Sequence, residues 1–261
     1  MSDQSQSHAS QDDQARALQL RDSLHHARSR IDRACSDSGR DAAGITLIVV
    51  TKFFPARDVL SLVDLGVRDI GESRDQEARP KVEQVGLRTD PERMPRVHMI
   101  GQVQTKKARS IARYADVVHS VDRARLVTAL DRAAGAAIEQ GERSGRLDVT
   151  LQVDLDGGDN ERRGGVPVQD ASALADDIAG CEFLRLRGVM AIAPAQAAGD
   201  DVALGSAFEA LARCHELIVA SHPAATWLSA GMSGDLEHAI AAGATHLRVG
   251  SVILGSRPPQ R

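Results

Sequence analysis

The chain has 261 residues, with 32 Lys and Arg against 36 Asp and Glu and a formal net charge of −4. That balance excludes a general nucleic-acid binder, which would carry a basic face, and favours small-molecule partners. Cys35, Cys181 and Cys214 form no Cys-x-x-Cys pair, so neither a disulfide framework nor a zinc site is indicated, a cytoplasmic setting is expected, and no run approaches the roughly 18 apolar residues of a membrane span.

Residues 1–14 are mostly Ser, Gln, Asp and His and read as a disordered polar tail, not a signal peptide; residues 15–261 then form one domain. Leu18, Leu24, Ala27, Ile31 and Ala34 recur at helical spacing and predict an amphipathic helix over about 13–36. The β-branched run Ile45-Thr46-Leu47-Ile48-Val49-Val50-Thr51-Lys52, between Gly44 and Pro55, has the pattern of a parallel-sheet strand buried on both faces, with Lys52 at its carboxyl end. Helices and strands then alternate. Pro55 opens a helix that Gly66 stops, and the strand 67–71 leads into a charged helix reaching about Val85. Strands 97–101 and 116–120 flank a helix over 105–113. A helix over 122–142, the strand 147–153 and a glycine-rich loop over 156–165 follow. The pattern closes with helix 168–179, strand 184–192, helix 201–220, strand 226–229, helix 233–242 and strand 247–254. Eight strands alternating with helices predict a single TIM-type (β/α)8 barrel; a doubly wound open sheet is the alternative.

In such a barrel the carboxyl ends of all strands share one mouth. Lys52, Glu72-Ser73, Gly101-Gln102, Met190, Ser229 to Ser233 and Arg248 to Ser251 all end strands, and His98 is expected as a satisfied strand histidine near the same mouth. A lone strand-end lysine is ordinarily a solvated terminus. The loops after the last two strands, however, are the usual phosphate site of this fold, and Ser229, Gly231, Ser233, Gly250 and Ser251 offer hydroxyl donors and close backbone approach. An aldehyde cofactor with a phosphate tail would satisfy both ends, its phosphate on those loops and its aldehyde joined to Lys52 as a Schiff base. Arg248 precedes Gly250 by two and so shares its side of the strand. It would be the partner for a pyridine nitrogen, held as an acceptor by a group that cannot itself accept; pairing with a helix acid is an equal reading.

These residues resemble the pyridoxal-5′-phosphate homeostasis proteins, barrel proteins similar to the N-terminal domain of alanine racemase. The likeness spans about residues 45–257. It rests on Val50-Thr51-Lys52, Gly71-Glu72-Ser73 with Gln76-Glu77, His98 to Gln104, Leu186 to Ile192, Leu228 to Ser233 with Asp235-Leu236-Glu237, and Arg248 to Gly255. The resemblance implies PLP fold type III with an N-terminal helix and no C-terminal β domain. It implies pyridoxal 5′-phosphate on Lys52, with Ser73, Met190, Ser229, Gly231, Met232, Arg248, Gly250 and Ser251 around it. It also implies a protein that buffers the cofactor or delivers it to PLP-dependent apo-enzymes, as a monomer or weak homodimer, with no nucleic-acid or membrane partner. Four positions depart from the family pattern: Thr51 replaces serine, Ser73 asparagine and Ser251 threonine, and Arg163 takes the place of a lysine in the loop after the fifth strand.

Two enzyme readings compete. A racemase needs a base on each face of the substrate α-carbon, and its relatives take the second from a tyrosine on a further β domain. Here the chain ends at Arg261, and Tyr114 is expected at the far end of the barrel. A serine hydrolase is suggested by Gly231-Met232-Ser233-Gly234, but position 235 is Asp where a nucleophile elbow needs glycine. Lys106, Lys107, Arg109 and Arg113 read as a solvated helix face.

Overall fold

The computed structural model describes residues 2–157 and 164–257, with side chains described from Asp12 onward. Among the described residues nine strands follow one another: β1 (Thr46–Val50), β2 (Asp69–Glu72), β3 (Arg96–Met99), β4 (Val117–Val121), β5 (Leu147–Asp154), β6 (Val166–Pro167), β7 (Leu184–Met190), β8 (Trp227–Ser229) and β9 (His246–Val249). They pair in parallel in the order β4-β3-β2-β1-β9-β8-β7-β5, and β5 returns to β4, closing an eight-stranded barrel. The two-residue β6 extends β5 outside that closure.

Around the barrel lie α1 (Ser2–Asp37), α2 (Ala56–Asp64), α3 (Asp75–Gly86), α4 (Ala108–Ile111), α5 (Ala124–Glu139), α6 (Ala171–Ala179), α7 (Asp201–Ser221), α8 (Leu236–Ala241) and α9 (Ser251–Leu254). Their ends follow local chemistry. Pro55 in extended geometry precedes α2, and Gly66 follows it at φ +81°. Asp200 caps α7 by accepting from the Val202 and Ala203 amides.

Alternation along the strands gives the barrel two chemically different faces. Val49, Ile70, Val97, Met99, Val118, Leu228, Leu247 and Val249 join the helices in one apolar cluster. The residues between them are buried too, but many are polar: His98, His119, Thr150, Gln152, Ser229, His246 and Arg248. The interior of the barrel therefore carries a hydrogen-bonded network beside Ile48, Val117 and Met190, and the main apolar cluster lies outside it.

The last predicted strand, 247–254, is divided. β9 ends at Val249, and residues 251–254 form α9, which packs against α1. Val252, Ile253 and Leu254 have strand-like composition, but Ile253 and Leu254 become almost fully buried as a helical turn, a tertiary gain that outweighs local preference. The predicted helix 105–113 is likewise shorter, a 3-10 turn over 105–107 followed by α4.

α1 clamps the ends of the last two βα units. Arg16 donates to Asp58 at 2.7 Å and to the Leu254 carbonyl at 3.0 Å; Arg30 donates to Glu237 at 2.6 Å and to the Ser233 carbonyl at 2.7 Å. The packed part of the helix among described side chains begins at Leu20.

Closure also depends on Gly188, at φ +149° in β7, where a Cβ would overlap the Trp227 carbonyl of β8. Gly188→Ala is expected to cost at least ~3 kcal/mol in urea unfolding, because backbone cannot yield as a side chain does. Gly205→Ala is the contrast. With nothing within 4 Å of the added Cβ on α7, it should stabilise by about 0.5–1 kcal/mol.

Candidate functional site

At the carboxyl ends of the strands lies a cavity of about 350 Å³, whose lining includes Lys52, Ser73, Met232, Arg248, Gly250 and Ser251. Ser233 and Gly234 complete the polar side, and Val50, Ile100 and Ile192 form apolar wall. Three other candidates do not line it. Ser229 is fully buried beneath Arg248; Met190 is buried on β7; Gly231, at φ +91°, leaves room for Ala239 of α8, whose Cβ would lie 2.8 Å from an added Cβ. Arg163 lies outside the described residues, with most of its glycine-rich loop.

Lys52 stands just beyond β1 on a bend whose next residue, Phe53, takes a left-handed φ of +72°. A β-unbranched but bulky residue seldom adopts that conformation, and here it is secured because the Phe53 amide donates to the Glu77 carboxylate. The Phe53 ring lies 5.9 Å from the Lys52 ammonium position, 5.7 Å from the Arg74 guanidinium and 3.7 Å from that of Arg257. Burial, then Arg257 and Arg248, push the Lys52 amine below its ordinary value, against Glu72 and Glu77. A lowered amine is neutral more of the time and so a better nucleophile.

Under this bend is a buried ion pair. Glu72 Oε1 accepts from Thr51 Oγ1 at 2.6 Å and from Lys81 Nζ at 2.7 Å, and Lys81 also donates to the Thr51 carbonyl at 2.9 Å. Glu72 Oε2 has no hydrogen-bond partner among the described residues. Burial raises the Glu72 carboxyl above its ordinary value, partly offset by Lys81. Neighbouring Ser73 reaches the cavity because residue 101 is glycine; a Cβ there would collide with the Ser73 hydroxyl and backbone.

On the opposite side, the Ser251 hydroxyl donates to that of Ser233 at 3.1 Å. Gly250 passes so close to β1 that a Cβ would lie 3.2 Å from the Val50 Cβ. Arg248 enters from β9, 4% exposed. It donates to the Ser229 hydroxyl at 2.7 Å and to the Ala191 carbonyl at 2.8 Å. Burial lowers its guanidinium to about 10. No carboxylate among the described residues hydrogen-bonds to it; Asp235, at the start of α8, acts on it only through its charge.

The expected placement of His98 needs correction. His98 is not near the mouth but inside the barrel, fully buried, with Nδ1 2.8 Å from His119 Nε2 and Nε2 2.9 Å from Asp69 Oδ1. Tyr114, between α4 and β4, lies as expected at the far end, beside Arg96, Asp116, Asp148 and Arg185 at the strand starts, and its hydroxyl donates to Asp75, at the start of α3, at 3.3 Å. It stays in the helix layer, outside the cavity lining.

Sequence reasoning missed Lys81, His119, Asp69 and Arg257. Lys81 carried a signal, since Ala78, Lys81, Val82 and Val85 recur at i, i+3, i+4 and i+7 on the buried stripe of α3. The others become neighbours only when the barrel closes.

Removing Lys81 would leave Glu72 buried without a counter-charge. Lys81→Met is expected to destabilise by about 3 kcal/mol at pH 8, in line with breaking a buried pair from one side. The Glu72 value is raised in the folded state, so stability from this carboxyl is present below its unfolded value and lost as pH rises through the folded one. The deficit should therefore shrink toward pH 5, as urea midpoints at the two pH values will show.

The family model for the alanine racemase N-terminal domain matches residues 6–258. A Mycobacterium tuberculosis protein named "Pyridoxal phosphate homeostasis protein" is 41% identical over 250 residues, covering 93% of this chain and 94% of that one. Among solved structures, a protein of unknown identity from Bifidobacterium adolescentis aligns with a TM-score of 0.82 at 31% identity, covering 92% of this chain and 96% of the other. PipY of Synechococcus elongatus, solved with PLP bound, aligns with a TM-score of 0.75 at 28% identity, covering 90% of this chain and 100% of that chain.

Proposed function

The chain belongs to the pyridoxal phosphate homeostasis protein family, and on that premise we propose that it binds pyridoxal 5′-phosphate at the barrel mouth and buffers it or delivers it to apo-enzymes in the cytoplasm. The observation that carries this reading is one cavity holding a lowered amine, a facing pair of serine hydroxyls and a buried guanidinium.

The donor set fits the cofactor. Lys52 would hold the cofactor through its amine, whose lowered value keeps it neutral and available to an aldehyde. Ser233 and Ser251 would donate to the phosphate. Arg248 would donate to the pyridine nitrogen, and Ser73 would take the side near the ring hydroxyl. When bound, the cofactor supplies an electron sink for amino-acid chemistry. A guanidinium partner leaves that sink weak, since it holds the nitrogen unprotonated. Among the described lining residues no tyrosine, histidine, carboxylate or second lysine is available as a second base. These features support binding and release over turnover, since the described lining offers a racemase-like reaction no second proton donor.

Two outcomes are expected. Lys52→Ala protein should fold with an unchanged melting curve yet lose the borohydride-fixable chromophore; a label persisting on another peptide would place the attachment elsewhere. Incubation of the loaded protein with L-alanine and other L-amino acids, followed by chiral chromatography, should show D-isomer formation well below about 1 s⁻¹, the lower end for ordinary enzymes. Steady turnover above that rate would restore the racemase reading.

A further inference from the structure

Below the Lys52 cavity, five side chains from five strands join end to end. Arg248 of β9 donates to Ser229 of β8 at 2.7 Å; Ser229 Oγ lies 3.0 Å from His119 Nδ1 of β4; His119 Nε2 lies 2.8 Å from His98 Nδ1 of β3; and His98 Nε2 lies 2.9 Å from Asp69 Oδ1 of β2. The four members other than Asp69 are at most 4% exposed.

The ends of this chain dictate its direction. A guanidinium has no acceptor, so Ser229 Oγ must receive its proton, and the serine hydroxyl is then free to donate to His119 Nδ1. His119 therefore carries its proton on Nε2 and donates to His98 Nδ1, and His98 donates from Nε2 to the Asp69 carboxylate. Each donor meets one acceptor. The reverse order would aim two N–H groups at Ser229 and leave its own proton without the imidazole partner. The scheme needs both imidazoles neutral. Burial is the main cause lowering each, the His119 value well below its ordinary one. Asp69, Asp116 and Arg96 face His98, while His98, Arg248, His246 and Arg96 face His119, so the cationic neighbours also oppose protonation of His119.

We infer that Asp69, His98, His119 and Ser229 are positioning residues, a one-directional hydrogen-bond relay that fixes the Arg248 guanidinium at the cavity wall and so sets its interaction with the pyridine nitrogen of the bound cofactor. The inference rests on the functional reading above. Arg248 is the only member of the relay in the cavity lining; the others act through it. Without the serine acceptor the guanidinium keeps, among the described residues, the Ala191 carbonyl 2.8 Å away, and gains freedom to rotate.

The test compares the unaltered protein with Ser229→Ala, Asp69→Ala, Asp69→Asn and the Ser229→Ala/Asp69→Ala double variant. Each is incubated with pyridoxal phosphate, and the absorption spectrum at fixed pH and the affinity by equilibrium dialysis are read on samples whose circular dichroism matches the unaltered protein. Ser229→Ala and Asp69→Ala should change the bound spectrum in the same sense and weaken retention about tenfold, the scale of one charge-assisted hydrogen bond. The double variant should be no worse than the more affected single one, because both break one relay. Asp69→Asn keeps an oxygen acceptor for His98 and should restore most of the unaltered spectrum, which a purely packing role would not explain. Should Asp69→Ala fold poorly, His98→Leu breaks the relay at a second point. Folded Ser229→Ala and Asp69→Ala or His98→Leu proteins whose bound spectra match the unaltered one would overturn this inference alone. Failure of the unaltered protein to bind pyridoxal phosphate would overturn the functional reading and this inference with it.

Discussion

Arg248 brings a full charge into the barrel where no carboxylate among the described residues meets it, and the interior is built around that cost. A buried cation without a counter-charge persists only if its protons are accepted by well-placed oxygens. Ser229 and the Ala191 carbonyl take two of them, and neutral imidazoles carry the serine's polarity onward to Asp69. This is why the inward residues of β3, β4 and β8 are His98, His119 and Ser229 and not the branched apolar side chains of the outward face.

The same economy governs the other side of the cavity. Lys52 is held on a strained bend, and beneath it Lys81 neutralises Glu72 while gripping the Thr51 carbonyl immediately before the bend. One lysine is thus fully engaged in structure so that the other, one residue beyond Thr51, can stay half-buried with its amine lowered and available. Chemically alike side chains take different roles through what surrounds them. α1 completes the frame by anchoring the Ser233 and Leu254 carbonyls, which fixes both loops that carry the facing serines.

The strands were legible because β-branched runs bounded by glycine and proline are a local property, and so was the position of Lys52 at the end of one. Arg248 could be assigned to the same side as Gly250 from a two-residue spacing alone. The final strand was overextended because Val252, Ile253 and Leu254 carry strand-like side chains, and only packing against α1 makes helix the lower-energy choice. His98 was recognised as satisfied, but its partners on β2 and β4 are 29 and 21 residues away. Nothing in local periodicity joins them.

The sequence by itself determined the alternation of elements, the mouth to which Lys52, Ser73, Arg248, Gly250 and Ser251 contribute, and the family likeness carried by those segments, because each depends on neighbours within a few residues. Only the tertiary structure decided that Ser229 faces Arg248 and not the cavity, that Lys81 serves Glu72, and that Arg257 lies by Lys52. Those relations arise when closure brings strands distant in sequence across a shared interior, where the low-dielectric surroundings make an unpartnered polar group costly.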